Sequence, residues 1–216
     1  MTRINMLIMA ATLVLVPGVV SAQHWVLYGG GAVELLSDPG ESGEGAQERL
    51  ELYLEAERGP FYVGIWGLAD SNSLTSEIDA YFGLRQSFDN GFDYDLNYTR
   101  YIYPNDGGDC CGEIGLSLGQ TFGEKVYVST EGYWDPEISL GSAYVLAEVY
   151  ATDKITLDAS YGLYNVAGAD NEREWEIGVG YAVTDSTALD FRWYDGSDYE
   201  GYFGFRVTFD TTLFGG

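Results

Sequence analysis

The chain has 216 residues and carries 34 Asp and Glu against 10 Lys and Arg, a formal charge of −24. That surplus argues against nucleic acid as a partner, and 29 glycines with 18 tyrosines and 10 phenylalanines favour strands and turns over helices. The single histidine, His24, stands near the N-terminus, so no Ser-His-Asp or His-Cys arrangement can be assembled in the body of the chain.

Residues 1–22 read as a cleaved secretory signal: Arg3 supplies the positive start, an apolar run follows, Pro17-Gly18 breaks it, and Val20-Ser21-Ala22 offers a small-residue cleavage site. The run is too short to cross a bilayer as a helix, which takes ~20 residues. Residue 23 is Gln rather than Cys, so lipid anchoring there is not expected. Residues 23–216 are expected to form one exported domain, all-β, with no internal linker.

Alternation predicts strands near 24–36, 47–58, 61–68, 76–88, 91–103, 113–121, 125–134, 140–151, 154–164, 173–183, 186–195 and 199–209, twelve in all. The stretch 76–103 shows the unit most clearly. Ile78, Ala80, Phe82 and Leu84 share one parity, while Glu77, Asp79, Tyr81, Gly83 and Arg85 share the other. Asp89-Asn90-Gly91 supplies the turn, and Phe92, Tyr94, Leu96 and Tyr98 then alternate with Asp93, Asp95, Asn97 and Thr99.

Alternation fits either a soluble sandwich or a membrane barrel. The connections separate them. Gly59-Pro60, Asp89-Asn90-Gly91, Phe122-Gly123-Glu124, Thr152-Asp153 and Thr184-Asp185 are short, and between them fall longer segments at 37–46, 69–75, 104–112, 135–139, 165–172 and 196–198. Outer-membrane barrels show this alternation, with short turns in the periplasm and longer loops outside. A Greek-key sandwich does not produce it so regularly. The expected fold is a transmembrane antiparallel up-and-down β-barrel with both termini on the periplasmic side.

One face of the strands is apolar throughout, for example Leu50, Leu52 and Leu54, Ile114, Leu116 and Leu118, Ile177 and Val179, and Phe203, Phe205, Val207 and Phe209. The opposite face is too charged for a dry core without extensive pairing and suits a wet lumen.

The pieces YLEAERGPFYVGIWG, EIDAYFGLRQSFDNGFDYDLNYTRYIYP, the Tyr133-Trp134-Asp135 strand and the closing strands resemble the TorF-like porin family, known also as the proteobacterial gcw family. The resemblance covers residues 47–209; the first strand matches poorly. It implies a small outer-membrane barrel of Gram-negative bacteria and supplies no catalytic residue. The strand from Tyr202 to Phe209 is similar to the C-terminal signal read by the barrel assembly machinery. Seven further residues follow it, which displaces the usual terminal aromatic.

The candidate site is the charged face: Glu51, Glu55, Glu77, Asp79, Arg85, Asp93, Asp95, Glu113, Glu131, Glu148, Asp158, Glu176, Asp190, Arg192 and Arg206. An acid surplus there would concentrate cations and repel anions; the bland reading is an ion-pair network filling a narrow barrel. Tyr81, Tyr144, Tyr150, Tyr164 and Tyr202 are candidates to fill the remaining space. Cys110 and Cys111, in an exported loop, are expected as a vicinal disulfide. Asp106 and Asp109 stand beside them, yet no histidine or second cysteine pair gives zinc-site spacing, so neither metal nor cofactor is expected. The acidic loops 38–48 and 169–174 lack the spaced pattern of a calcium loop and read as solvated faces near lipopolysaccharide. Trp25, Trp66, Trp134, Trp175 and Trp193 fit aromatic girdles, with Trp66 and Trp134 the two that could face inward.

These features predict no enzyme. They predict an outer-membrane channel for small cationic or neutral solutes through an acidic lumen, with a closed structural or surface-binding barrel as the alternative. Partners are then outer-membrane lipid, lipopolysaccharide, the assembly machinery and small solutes. Homo-oligomers stay open, because trimeric and monomeric barrels share the same alternation.

Overall fold

The computed structural model describes residues 24–37, 45–71, 76–105, 107–165 and 171–215. The expected signal segment, Asp106, residues 38–44 of the first acidic loop and residues 169–170 of the second lie outside these residues. Twelve strands make up most of the described chain: β1 (Val26–Leu36), β2 (Gln47–Arg58), β3 (Phe61–Asp70), β4 (Glu77–Ser87), β5 (Phe92–Tyr103), β6 (Gly108–Phe122), β7 (Val126–Asp135), β8 (Leu140–Tyr150), β9 (Ile155–Tyr164), β10 (Glu172–Thr184), β11 (Thr187–Gly196) and β12 (Tyr202–Phe214). Each pairs antiparallel with its neighbours in sequence, and β12 returns to β1, closing the barrel without a free edge. No described residue is helical.

Five tight turns gather at one end, the turn end, and the six longer connections at the other, the loop end. Gly59 and Gly91 take φ of 58° and 81°, the left-handed conformation that the short hairpins need and that a side chain would disfavour.

Cross-strand partners share a face, so the register carries one parity around the whole wall. The outward face is the apolar one. Leu52 is 62% exposed, Phe82 57% and Ile177 55%. In water each such side chain would forgo roughly 1.5–3 kcal/mol of burial, and no second sheet covers the belt. The soluble-sandwich alternative is therefore excluded for this fold, and the belt suits lipid. Trp134, Trp175 and Trp193 face outward near the loop end, where Trp193 packs edge-on against Phe203 with ring centroids 4.5 Å apart. Trp25, Phe61, Phe122 and Phe214 ring the turn end, giving two girdles. Of the two tryptophans left open, Trp66 faces inward beside Tyr53 and Asp79, and Trp134 faces outward at 47% exposure.

Most expected boundaries hold within three residues, and the two that move by five do so at bulges, where an extra residue breaks the period of two. β6 begins at Gly108 rather than 113, because the register slips between Tyr101↔Cys111 and Ile102↔Asp109 and leaves Cys110 as the extra residue. β12 continues to Phe214 rather than ending at 209: its register slips between Thr212 and Phe214, so Leu213 and Phe214 both lie on the outer side. The residues after Phe209, expected to lie beyond the last strand, thus continue it as far as Phe214.

Candidate functional site in the barrel lumen

The inward parity runs, for example, from Ala32 to Glu51, Leu68 and Glu77 on successive strands. All fifteen charged side chains named from the sequence fall on it: Glu51 and Glu55 on β2, Glu77, Asp79 and Arg85 on β4, Asp93 and Asp95 on β5, Glu113 on β6, Glu131 on β7, Glu148 on β8, Asp158 on β9, Glu176 on β10, Asp190 and Arg192 on β11, and Arg206 on β12. The five tyrosines proposed to fill space share this face. None of these groups gathers into a compact site; instead, apart from Glu77 and Asp79, which lie against each other on β4, they divide by partner.

One group is neutralised by guanidinium. Arg206 reaches over Ala32 to grip Glu51 with two hydrogen bonds of 2.7 and 3.0 Å. Arg85 donates to Glu55 and, at 2.9 Å, to Glu57, while its guanidinium sits 4.4 Å over the Tyr62 ring. Arg192 holds three acids, Asp158 at 2.7 Å, Glu176 at 2.6 Å and Asp190 at 3.1 Å. It crosses Gly178 to do so: a Cβ there would stand 2.9 Å from the guanidinium. Its side chain is 8% exposed.

The second group is held by phenols. Tyr62 donates to Asp95 at 2.6 Å, Tyr127 to Asp93 at 3.1 Å, Tyr101 to Glu113 at 2.7 Å, Tyr133 to Glu131 at 2.8 Å, Tyr150 to Glu148 at 2.8 Å and Tyr144 to Glu174 at 2.9 Å. Inward glycines give the rings room. A Cβ on Gly83 would meet the Tyr62 hydroxyl at 2.5 Å, and one on Gly162 would meet the Tyr144 ring at 2.1 Å. A phenol fixes a carboxylate without cancelling its charge, whereas a guanidinium does both. Strands β5 to β9 carry no inward Lys or Arg. The wall is therefore electrostatically lopsided: its inward bases, Arg49, Arg85, Arg192 and Arg206, all lie on β2, β4, β11 and β12, while the acids of β5 to β8, with Glu77 and Asp79 on β4 and Glu174 on β10, are bridged by none of them.

Sequence reasoning missed a cluster at the loop end of β1 to β3. Arg49 bonds Asp70 at 3.2 Å and lies 4.0 Å from Glu34, Gln47 donates to Asp70, and Tyr194 donates to Glu34 at 3.0 Å. Gln47 and Glu34 are 1% and 2% exposed. The signal was parity itself: Arg49 and Gln47 continue the face of Glu51, and Glu34 continues that of Ala32. Asp135, also missed, lies buried at the loop end of the inward face of β7. Its Oδ1 accepts the N–H groups of Glu137 at 2.7 Å and Ile138 at 3.2 Å, capping the next loop.

Cys110 and Cys111 are disulfide-bonded to each other across the bulge, Cys110 exposed and Cys111 buried on the inward side. Beside them Asp109 points outward, gripped by Arg100 at 2.5 and 2.8 Å, and Arg100 also donates to Glu137. Those hydrogen bonds hold the exposed Asp109 carboxyl below the usual carboxylate range. Among the described residues no three His, Cys, Asp or Glu side chains are placed to hold a metal ion. His24 is exposed ahead of β1.

No protein-family model matches the sequence, and no curated protein sequence does either. Solved structures match the fold. A KdgM porin superposes with a TM-score of 0.64 at 9% identity, over 86% of this chain and 98% of its own. A NanC porin gives 0.62 at 9% identity, over 87% and 100%. The dimeric outer-membrane phospholipase OMPLA of Salmonella typhi, solved with bound calcium, gives 0.60 at 13% identity, over 84% and 90%. At these identities the likeness establishes the barrel and nothing finer.

Proposed function

We propose that the chain is an outer-membrane barrel that gives small cationic or neutral solutes a narrow passage. The observation that carries this reading is the run of five strands, β5 to β9, whose inward face bears carboxylates and no base inside a closed barrel with an apolar outside. A low-dielectric wall of one charge sign raises the local concentration of counter-ions and excludes co-ions. The porin names of two structural neighbours support a channel of this architecture. One KdgM porin structure is described as a complex with disordered oligogalacturonate, at 8% identity and a TM-score of 0.61 over 86% of this chain and 98% of its own; a carboxylated oligomer would meet repulsion in the present lumen. The resemblance of residues 47–209 to TorF-like barrels favours placing the chain among them, and the composition of residues 1–22 favours export through a cleaved signal.

A second reading, a closed structural barrel or one that works through its loops, is favoured by a different observation. Arg192 and Arg49 are 8% and 6% exposed among their acids, so parts of the wall are packed rather than wet. Single-channel current of the refolded mature protein in a planar bilayer under a salt gradient separates the two. Conductance steps with a cation-directed reversal potential support passage; a correctly folded, silent barrel supports the closed reading. Protein that stays soluble and folded without detergent would refute both.

A further inference from the structure

The inward residues that face one another across consecutive strands form rows, and one row differs from the rest. It starts beside Arg85 on β4, which stands opposite Asp95 but bridges Glu55 and Glu57, and runs Asp95 on β5, Ser117 on β6, Glu131 on β7, Tyr144 on β8, Gly162 on β9 and Glu174 on β10. Acids stand at every second or third strand, with a serine, a glycine and a flat ring between them. Neighbouring strands are ~4.8 Å apart, so Asp95 and Glu131 stand about 10 Å apart along the row. Rows run perpendicular to strands, and barrel strands tilt by ~35–45°. The row therefore climbs the wall: Asp95 lies near the turn end of its strand, Glu131 in the middle of β7, and Glu174 near the loop end of β10.

Each acid is also poised in the same way. Tyr62, Tyr133 and Tyr144 hold Asp95, Glu131 and Glu174 by one hydrogen bond each, Asn97 adds a second to Asp95 at 3.1 Å, and no guanidinium or ammonium of the described residues bridges to any of them. An ionised carboxylate offers about four lone-pair sites, so acceptor capacity remains for a passing ion. All three are half-buried, within reach of lumenal water.

Resting on the passage reading, we infer that Asp95, Glu131 and Glu174 form a carboxylate ramp that conducts monovalent metal cations and small ammonium or guanidinium solutes from mouth to mouth. The guanidinium-paired acids, Glu51, Glu55, Asp158, Glu176 and Asp190, are struts that shape the lumen without setting its selectivity. The steps along the ramp are about 10 Å from Asp95 to Glu131 and about 14 Å from Glu131 to Glu174, so a cation passes from the field of one carboxylate into that of the next rather than being held by two at once, and among the described residues the opposite wall offers no such row.

The test compares reversal potentials in a KCl gradient for the wild type, the single variant E131Q, the triple variant D95N/E131Q/E174Q, and the charge-neutral pair deletion E51Q/R206Q. Each is first checked for folding by the shift in gel mobility on boiling. A unit charge ~4 Å from an ion in water changes its local concentration about fivefold. The triple variant is therefore expected to lose at least that factor in the cation-to-anion permeability ratio, E131Q part of it, and E51Q/R206Q less than twofold. Should the triple variant not fold, E131Q alone decides. A conducting, cation-preferring wild type whose ratio E131Q or the triple variant leaves intact, or whose ratio falls as far in E51Q/R206Q, overturns the ramp while leaving the passage reading in place. A folded but silent wild type overturns both.

Discussion

Replacing Arg192 with methionine leaves Asp158, Glu176 and Asp190 around an apolar stem of similar length, three carboxylates that one guanidinium now gathers at 2.7, 2.6 and 3.1 Å. The cost depends on how wet the lumen is at that point. An exposed ion pair contributes ~0–1 kcal/mol, while removing one partner of a buried pair costs about 3–5 kcal/mol because the remaining charge is stranded. Arg192 is 8% and Asp158 5% exposed, but Asp190 and Glu176 keep 20% and 17%. Water can therefore relax part of the repulsion, and the lower end of the buried range applies, about 3 kcal/mol. The three bonds share one cation, so their costs do not add. Urea-driven unfolding of the refolded barrel in detergent or lipid gives the number, provided that folding is reversible there. Neutralising the acids as well, in R192M/D158N/E176Q/D190N, should recover most of the loss. A cost below ~1 kcal/mol for R192M would show that the pairs are screened as surface pairs are, and the argument that this part of the wall is packed would fall.

Gly83→Ala should displace Tyr62 from Asp95, since the new Cβ would stand 2.5 Å from the Tyr62 hydroxyl and 2.7 Å from the Leu96 carbonyl. Overpacking of this kind costs ~1–3 kcal/mol, and urea unfolding at unchanged slope would confirm it; a neutral result would mean that the ring has another resting place. The Arg100–Asp109–Glu137 cluster should loosen in acid. Its Asp109 carboxyl is held below its ordinary value, so the stabilisation is present above the unfolded pKa, about 3.9, and is lost as pH falls through the lower folded value. Proteolysis by pepsin at 104–109 that rises between pH 4 and pH 2 in the wild type, and is already high in Arg100→Ala, would show it. Acid insensitivity of that segment would not fit. Replacing both Cys110 and Cys111 by serine should leave stability within about 1 kcal/mol, because a bridge between adjacent residues closes almost no loop in the unfolded chain. A loss of several kcal/mol would assign the bulge a structural weight not evident from its contacts.

The fold was legible because a barrel writes its geometry on the sequence twice. Period-two alternation marks each strand, and the contrast between tight turns and longer segments marks which end each connection occupies. Which acid meets which base was not legible. A side chain such as Arg192 touches β9 and β10 as well as its own strand, and that choice depends on the register between strands, which alternation leaves free. The strand ends were misread where a bulge inserts one residue, at Cys110 and at Leu213, since every later side chain then changes parity relative to the run before it. Trp66 and Trp134 show the same dependence. Both sit in aromatic surroundings, and only their positions counted from Glu51 and Glu131 separate lumen from lipid.

β1 was the strand least readable from the sequence, and its contacts explain why. Three interactions lace the seam where β12 returns to β1, each passing over a small inward residue. Tyr53 crosses Gly30 to donate to Asp210 at 2.7 Å, Arg206 crosses Ala32 to reach Glu51, and Tyr194 crosses Gly204 to donate to Glu34 at 3.0 Å. A Cβ on Gly30 would stand 2.7 Å from the Asp210 carboxylate and 2.8 Å from the Tyr53 ring. Gly30, with Ala32 beside it on the inward face of β1, is thus the space through which the neighbours of β1 on both sides join. Closing a barrel demands that the first and last strands be held by partners far apart in sequence, here 155 to 160 residues. Polar contacts over small residues do this on the inside without adding anything to the apolar belt. The same device, a long polar side chain lying across a glycine or alanine to an acid one strand further on, holds the ramp acids Asp95 and Glu174 through Tyr62 over Gly83 and Tyr144 over Gly162. Whether the reaching group is a phenol or a guanidinium decides whether the acid keeps its charge: Tyr62 and Tyr144 leave Asp95 and Glu174 charged toward the lumen, while Arg206 neutralises Glu51.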